Sequence, residues 1–159
     1  MLGLALEGGG SRGAYHLGVY RAYTQQGFHF DMITGTSIGA VNAAVLAQGD
    51  AARLEEAWKT LNNSDIFDVD NERYRRLFSL KLEIADFSYY RDTLSKVASG
   101  GGVDTAKMVS LIDRLVDSDR LLASPVDFGL VTVCTSDLKP VEFFKHDIPK
   151  EDLKTYIMA

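Results

Sequence analysis

Ser37 lies in the sequence Gly35-Thr36-Ser37-Ile38-Gly39, which fits the Gly-x-Ser-x-Gly pattern of a hydrolase nucleophile. In that pattern, a sharp turn between a strand and a helix lifts the serine hydroxyl above the edge of the sheet, where it can attack a carbonyl carbon. The helix dipole and the amide of Ile38 would then help to stabilise a negatively charged oxygen. The same residues also fit an N-cap serine at the start of a helix. The pattern alone leaves both interpretations open.

A second glycine motif, GGGSRG at residues 8–13, follows a short apolar run and opens a helical pattern. Glycines let the backbone approach a ligand closely, and the amino end of a helix attracts negative charge. The spacing satisfies the dinucleotide fingerprint G-x-G-x-x-G, which also requires an acidic residue at the end of the second strand. Asp31 lies near the required distance but begins that strand. The sequence therefore leaves a pyrophosphate site, an oxyanion site serving Ser37 and a tight turn without a ligand as alternatives.

The elements that must position these motifs alternate between strands and helices. Strands are predicted at residues 2–7, 31–35, 128–134 and 141–145, with the last two joined by a turn at Lys139-Pro140. Helices are predicted from Gly13 to Gly27, from Ser37 to Gln48, after Asp50, after Asp104 or Thr105, and over 150–158. Short helices joined by loops are predicted for 62–103. This alternation predicts an α/β fold with a mainly parallel sheet flanked by helices. Both motifs then lie at the carboxyl ends of strands, where ligands gather.

The composition is that of a globular domain. The chain has 159 residues, of which 46% are hydrophobic and 25% charged, with a net charge of -5. An acidic chain argues against broad binding to nucleic acid. The single cysteine, Cys134, permits no internal disulfide and is most simply a small core residue. Neither a signal peptide nor a membrane-spanning segment is predicted, so we expect a cytoplasmic protein with peripheral contact to membranes.

A general base for Ser37 is difficult to find among the three histidines. A triad in the order serine, acid, histidine requires a late histidine, and only His146 satisfies that order. It lies in a polar stretch typical of a surface turn, whereas His16 is predicted on the first helix and His29 before the second strand. The sequence therefore gives a histidine triad little support.

The stretches LEGGGSRGAYHLGVY and DMITGTSIGAVNAA together resemble the patatin-like phospholipases, particularly the bacterial ones. The resemblance is strong over residues 1–48 and loose beyond them. It implies a three-layer α/β/α fold and a lipid or ester substrate cleaved through an acyl-enzyme by a Ser–Asp dyad, without a histidine or a cofactor. It also implies that Ser37 is the nucleophile. The implied oxyanion hole is formed by the amides of Gly8, Gly9, Gly10, Ser11 and Ile38. The remaining residues of the two motifs, which would support this geometry, are Arg12, Gly13, Gly35 and Gly39.

The aspartate of that dyad belongs, in the family, to an Asp-Gly-Gly or Asp-Gly-Ala motif beyond the serine. Asp-Gly occurs nowhere in residues 1–159, and Asp137 could substitute only if it reached Ser37. We therefore expect residues 1–159 to be the amino-terminal portion of one patatin-like domain, inactive alone, with an incomplete sheet and an exposed edge strand. The oligomeric state stays open.

Two further features leave alternatives open. The aromatic residues within 67–90 fit ordinary core packing, the lining of an acyl-chain groove or a mobile cover. Arg73, Arg75 and Arg76 fit a solvated face or a contact with lipid headgroups. For the whole chain, the rivals to a lipid acyl hydrolase are a dinucleotide-binding domain and a non-catalytic or degenerate hydrolase module.

Overall fold

The computed structural model describes residues 1–61, 106–134, 136–137 and 139–159. Residues 1–60 and 111–159 form one compact unit, and residues 61–110 form a second, of which Leu61 and the first half of one helix are described. The predictions for residues 62–103, including the aromatic stretch and its arginines, and the helix cap at Asp104 or Thr105 lie outside the described residues.

Four strands form one sheet in the order β1-β2-β3-β4. They are β1 (Gly3–Leu6), β2 (Met32–Thr36), β3 (Asp127–Val133) and β4 (Pro140–Phe144). The first three are parallel, and β4 returns antiparallel to β3. The predicted mainly parallel α/β architecture is confirmed. Because Leu6 pairs with Gly35 in the sheet register, the carboxyl ends of β1 and β2 meet at one edge.

The helices follow the predicted pattern closely. They are α1 (Ala14–Gln25), α2 (Ile38–Ala47), α3 (Ala51–Thr60), α4 (Ala106–Leu115), α5 (Ser118–Ala123) and α6 (Leu153–Met158). Short 3₁₀ turns cover Gly10–Gly13 and Lys150–Asp152. The short helix α5 was not predicted from the sequence; Asp117 caps it by accepting a hydrogen bond from the Arg120 amide. A helix of six residues has too few turns to show a helical period.

The core of this unit lies around α2. All ten residues of this helix are buried, and it contacts β2, β3 and α3. A helix that is apolar on every side, as IGAVNAAVLA is apart from one asparagine, is stable only when it is enclosed. The buried helix leads directly from Ser37, so the candidate nucleophile is attached to the core of the unit. Across the described ranges, every helix is too short or too polar to cross a bilayer.

Candidate active site

Ser37 forms a strained turn between β2 and α2. Its backbone angles are φ 55 and ψ -130, and it is the only residue other than glycine with positive φ within the described ranges. Its carbonyl accepts a hydrogen bond of 2.8 Å from the Ala40 amide, which starts the helix. Its hydroxyl makes no capping hydrogen bond, and the residue is exposed. Ser37 therefore occupies the cap position without acting as a side-chain cap, as a nucleophile elbow requires.

The two glycines that flank Ser37 allow α2 to sit directly on the sheet. A Cβ atom at Gly35 would lie 2.2 Å from the Gly39 carbonyl oxygen, and a Cβ atom at Gly39 would lie 2.3 Å from the Leu6 carbonyl oxygen. These distances are far below van der Waals contact. The turn is held in its strained geometry by this close packing of backbone on backbone.

The glycine loop that follows β1 lies beside Ser37. A Cβ atom at Gly8 would lie 3.3 Å from the Ser37 Cβ atom and 4.0 Å from its Oγ atom. Gly9 has φ 148 and Gly10 has φ 57, values that L side chains rarely adopt. The Arg12 amide donates to the Gly9 carbonyl at 3.2 Å and closes the 3₁₀ turn. The two glycine motifs are thus brought together at the carboxyl edge of the sheet.

A cavity of about 260 Å³ opens beside Ser37, between β3 and α6. Its lining is largely apolar and includes Thr36, Leu130, Val131, Val133, Tyr156 and Met158. The site therefore combines a strained, exposed serine with a glycine-rich backbone loop and a mostly apolar wall.

The family model described as patatin-like phospholipase matches residues 4–159. The chain belongs to the patatin-like phospholipase family. A solved structure, that of VipD from Legionella pneumophila, aligns with a TM-score of 0.58 at 16% identity and covers 99% of this chain and 41% of VipD. At that identity, the alignment supports the patatin-like fold alone.

Curated relatives of this patatin-like domain are much longer proteins. Lysophospholipase NTE1 of Mycosarcoma maydis is 49% identical over 47 residues, 30% of this chain and 2% of the fungal protein. Lysophospholipase nte1 of Neurospora crassa is 33% identical over 112 residues, 58% of this chain and 7% of its own length. An NTE family protein of Mycobacterium tuberculosis is 48% identical over 48 residues, 30% of this chain and 8% of its own length. The chain thus spans less than a tenth of these relatives.

The histidines of the patatin-like domain lie away from Ser37 or are buried. His146 approaches Asp127 at 3.3 Å, at the amino end of β3. Asp127 pairs with Met32, roughly 13 Å along the strand from Thr36. His146 therefore lies at the sheet edge opposite to Ser37, which excludes it as the base. His29 is exposed before β2.

Two aspartates considered in the sequence have other partners. Asp31 accepts a hydrogen bond of 2.6 Å from the Leu2 amide at the amino edge of the sheet, so it cannot contact a ribose held by the glycine loop. The position of Asp31 and the membership of the patatin-like family show that the interpretation as a dinucleotide-binding domain is wrong. Asp137 accepts a hydrogen bond from the Lys139 amide, which lowers the pKa of its carboxylate, and it also lies 3.4 Å from the Lys139 ammonium. No hydrogen bond joins Asp137 to Ser37 in the part of the chain that the structure describes.

Asn42, a fully buried residue of α2, was not predicted from the sequence, although its amide reaches the end of the glycine loop. Its only signal was a single asparagine within an alanine-rich, otherwise apolar helix. A buried polar side chain must find hydrogen-bond partners, but the sequence does not show where they are.

Replacing Gly8 by alanine is expected to lower the reactivity of Ser37 by roughly tenfold, because the new methyl group forces the loop or the serine to shift by a few tenths of an ångström. The acylation rate of the complete natural polypeptide with a p-nitrophenyl ester measures the effect. Gly3→Ala, on the strand β1 that precedes the loop, is the matched control, since the nearest atom to its new methyl group would lie 4.0 Å away. Equal rates for the two variants would show that a methyl group at position 8 does not disturb Ser37.

Proposed function

We propose that this patatin-like domain hydrolyses acyl esters of lipids, with Ser37 as the nucleophile. The observation that carries the proposal is the exposed Ser37 hydroxyl, held at φ 55 without a capping bond and directly beside Gly8. Strain of this kind persists only where the surrounding structure imposes it, and it is typical of nucleophile elbows. Family membership and the names of the fungal relatives, which are lysophospholipases, support a lipid substrate.

In the proposed reaction, the Ser37 Oγ atom attacks the ester carbonyl and transfers its proton to a base. The amides of the glycine loop at Gly8, Gly9, Gly10 and Ser11, together with the Ile38 amide, donate to the negative oxygen of the tetrahedral intermediate. The first amides of a helix have no partner within it, which makes Ile38 available as a donor. Collapse of the intermediate breaks the ester C–O bond and releases the alcohol, which takes up a proton. Water then hydrolyses the acyl-Ser37 ester and regenerates the hydroxyl.

The base in this proposal is an aspartate, as the family resemblance implies. No Asp-Gly motif occurs in residues 1–159, and Asp137 is engaged by Lys139. The proposal therefore takes the dyad aspartate to lie outside residues 1–159. The mostly apolar cavity beside Ser37 is the proposed location of the first carbons of the acyl chain. A cytoplasmic location, peripheral membrane contact and the lack of nucleic-acid binding stay predictions.

Covalent labelling tests this function on the complete natural polypeptide that carries residues 1–159. A fluorophosphonate probe is expected to form one adduct, located by peptide mass spectrometry on Ser37, because an activated serine attacks the phosphorus centre as it attacks an ester. Prior incubation with a lysophospholipid should slow the labelling by competition. An unlabelled protein, or an adduct on a different serine, would contradict the proposal and favour a non-catalytic module.

A further inference from the structure

Asn42 uses all of its hydrogen-bonding groups although it is completely buried. Its Nδ2 atom donates to the Gly13 carbonyl at 2.8 Å and contacts the His16 Nδ1 atom at 3.2 Å. Its Oδ1 atom accepts from the Trp58 Nε1 atom at 3.1 Å. One side chain of α2 is therefore bonded to the end of the glycine loop, to the first turn of α1 and to α3.

The chemistry of these partners determines the orientation of the amide. The Trp58 indole can only donate and the Gly13 carbonyl can only accept, so Oδ1 must face Trp58 and Nδ2 must face Gly13. The second hydrogen of Nδ2 then points at His16, whose Nδ1 atom must accept it. His16 is consequently neutral in this arrangement, with its own hydrogen on Nε2.

Gly13 connects this network to the candidate active site. It ends the 3₁₀ turn of the glycine loop, and a Cβ atom there would lie 2.9 Å from the Trp58 ring and 3.1 Å from the Ile38 side chain. The end of the loop is therefore packed against the residue that directly follows Ser37. Because Asn42 belongs to the helix that begins at Ile38, its bond to Gly13 ties the loop and Ser37 to one rigid element.

We propose that Asn42 is a positioning residue that holds the glycine loop at the distance from Ser37 at which its amides can reach the oxyanion. The proposal rests on the proposed function, because it concerns the same site. Asn42 acts through Gly13 and makes no contact with the substrate. An error of a fraction of an ångström in donor placement weakens a preorganised oxyanion site, so loss of this link affects the chemical step more than substrate binding.

Asn42→Ala tests this in the complete natural polypeptide, with Gln48→Ala as the matched control. Gln48 is buried near the other end of the same helix, away from the glycine loop. Its side-chain amide donates to the Leu115 carbonyl and accepts from the Asp117 amide, each at 2.9 Å. Both variants lose a buried amide, so both are destabilised. Only Asn42→Ala is expected to lower the acylation rate per folded molecule, by tenfold or more, with KM changed by less than about threefold.

Trp58→Phe is the second variant, because it keeps an aromatic side chain at this position and removes the indole N–H that donates to Asn42. It should lower kcat by a smaller factor than Asn42→Ala, again with little change in KM. Wild-type kcat in folded Asn42→Ala or in Trp58→Phe would overturn the positioning role, and so would an equal loss in Gln48→Ala. The proposed function is tested separately, because its failure would appear as an unlabelled wild-type protein or as labelling that Ser37→Ala retains.

The network also predicts a loss of acylation in acid. Burial lowers the pKa of His16 below its usual 6.5, although the Glu7 carboxylate partly opposes this shift. His16 is therefore neutral at pH 7, and as the pH falls through its lowered pKa, a proton on Nδ1 breaks the bond from Asn42. Glu7, Arg12 and Tyr15 line the groove beside His16.

The pH profile of acylation separates these groups. In His16→Asn, the side-chain oxygen can accept the Asn42 hydrogen bond near the position of Nδ1 and does not titrate. The acid limb of the profile, in which the acylation rate falls as the pH is lowered, should therefore lie at lower pH in this variant than in the wild type. Glu7→Gln should move the limb the same way but less, since it removes only the charge that favours protonated His16. An unchanged acid limb in His16→Asn would contradict the requirement for neutral His16.

Discussion

Ser37→Ala is expected to reduce ester hydrolysis by the complete natural polypeptide by about 10⁴-fold or more, since loss of the nucleophile removes the acyl-enzyme route. The oxyanion loop and substrate binding remain, so a small residual rate above that of water is expected. The measurement is kcat/KM with a p-nitrophenyl ester and with a lysophospholipid. Ser118→Ala, at the start of α5, is the control and should retain the wild-type rate.

The stability of the same variants distinguishes a lost nucleophile from a lost fold. The Ser37 hydroxyl makes no capping bond, so Ser37→Ala should unfold with nearly the wild-type free energy. Ser37→Gly should be equally inactive but more stable, by about 1 kcal/mol, because glycine adopts φ 55 without strain. If Ser37→Ala hydrolysed esters at the wild-type rate, a different nucleophile would have to be sought.

Gly39→Ala is expected to destabilise the domain by more than about 4 kcal/mol. The added methyl carbon would lie 2.3 Å from the Leu6 carbonyl oxygen and 2.6 Å from the Glu7 carbonyl oxygen. Both obstacles are backbone atoms, which cannot rotate away as a flexible side chain would. The first turn of α2 must therefore lift from β1, which exposes core and separates Ser37 from the glycine loop. Urea unfolding followed by circular dichroism measures the loss.

Gly18→Ala is the control for Gly39→Ala. Gly18 is exposed within α1, and no atom lies within 4 Å of the position that its Cβ would take. Alanine favours a helix interior over glycine by about 1 kcal/mol, so this variant should be as stable as the wild type or more stable. If Gly39→Ala matched Gly18→Ala in stability, the close approach of α2 to the end of β1 would be wrong.

Most of the fold was predictable because its elements carry local signals. Residues 31–35 and 128–134 were predicted as strands, and β2 and β3 lie within one residue of them. A short apolar run is a local property, as is the helical period of α1. The six-residue α5 carried no such signal, since its place depends on Asp117 as a cap and on packing against the rest of the unit.

The candidate site likewise has features that were predictable from the sequence and features that were not. Its glycines and Ser37 were predictable from two motifs, because the need for residues without a Cβ atom in a tight turn is visible in the residue types. The absence of a capping bond from the Ser37 hydroxyl was not predictable, since it depends on the backbone angles and the hydroxyl partners of one residue. The position of His146 at the opposite edge required the antiparallel return of β4.

By itself, the sequence determined the α/β pattern, the two glycine motifs and the resemblance to a family that the comparison confirmed. Only the tertiary structure decided which motif residues meet, that the Ser37 hydroxyl does not cap α2, and that Asn42 bonds to Gly13 and His16. The physical reason is the range of the forces. Helical period and turn preference act between near neighbours in the chain, whereas Asn42 is satisfied by groups 29, 26 and 16 positions away. Such a polar network exists only after the sheet and its helices have packed.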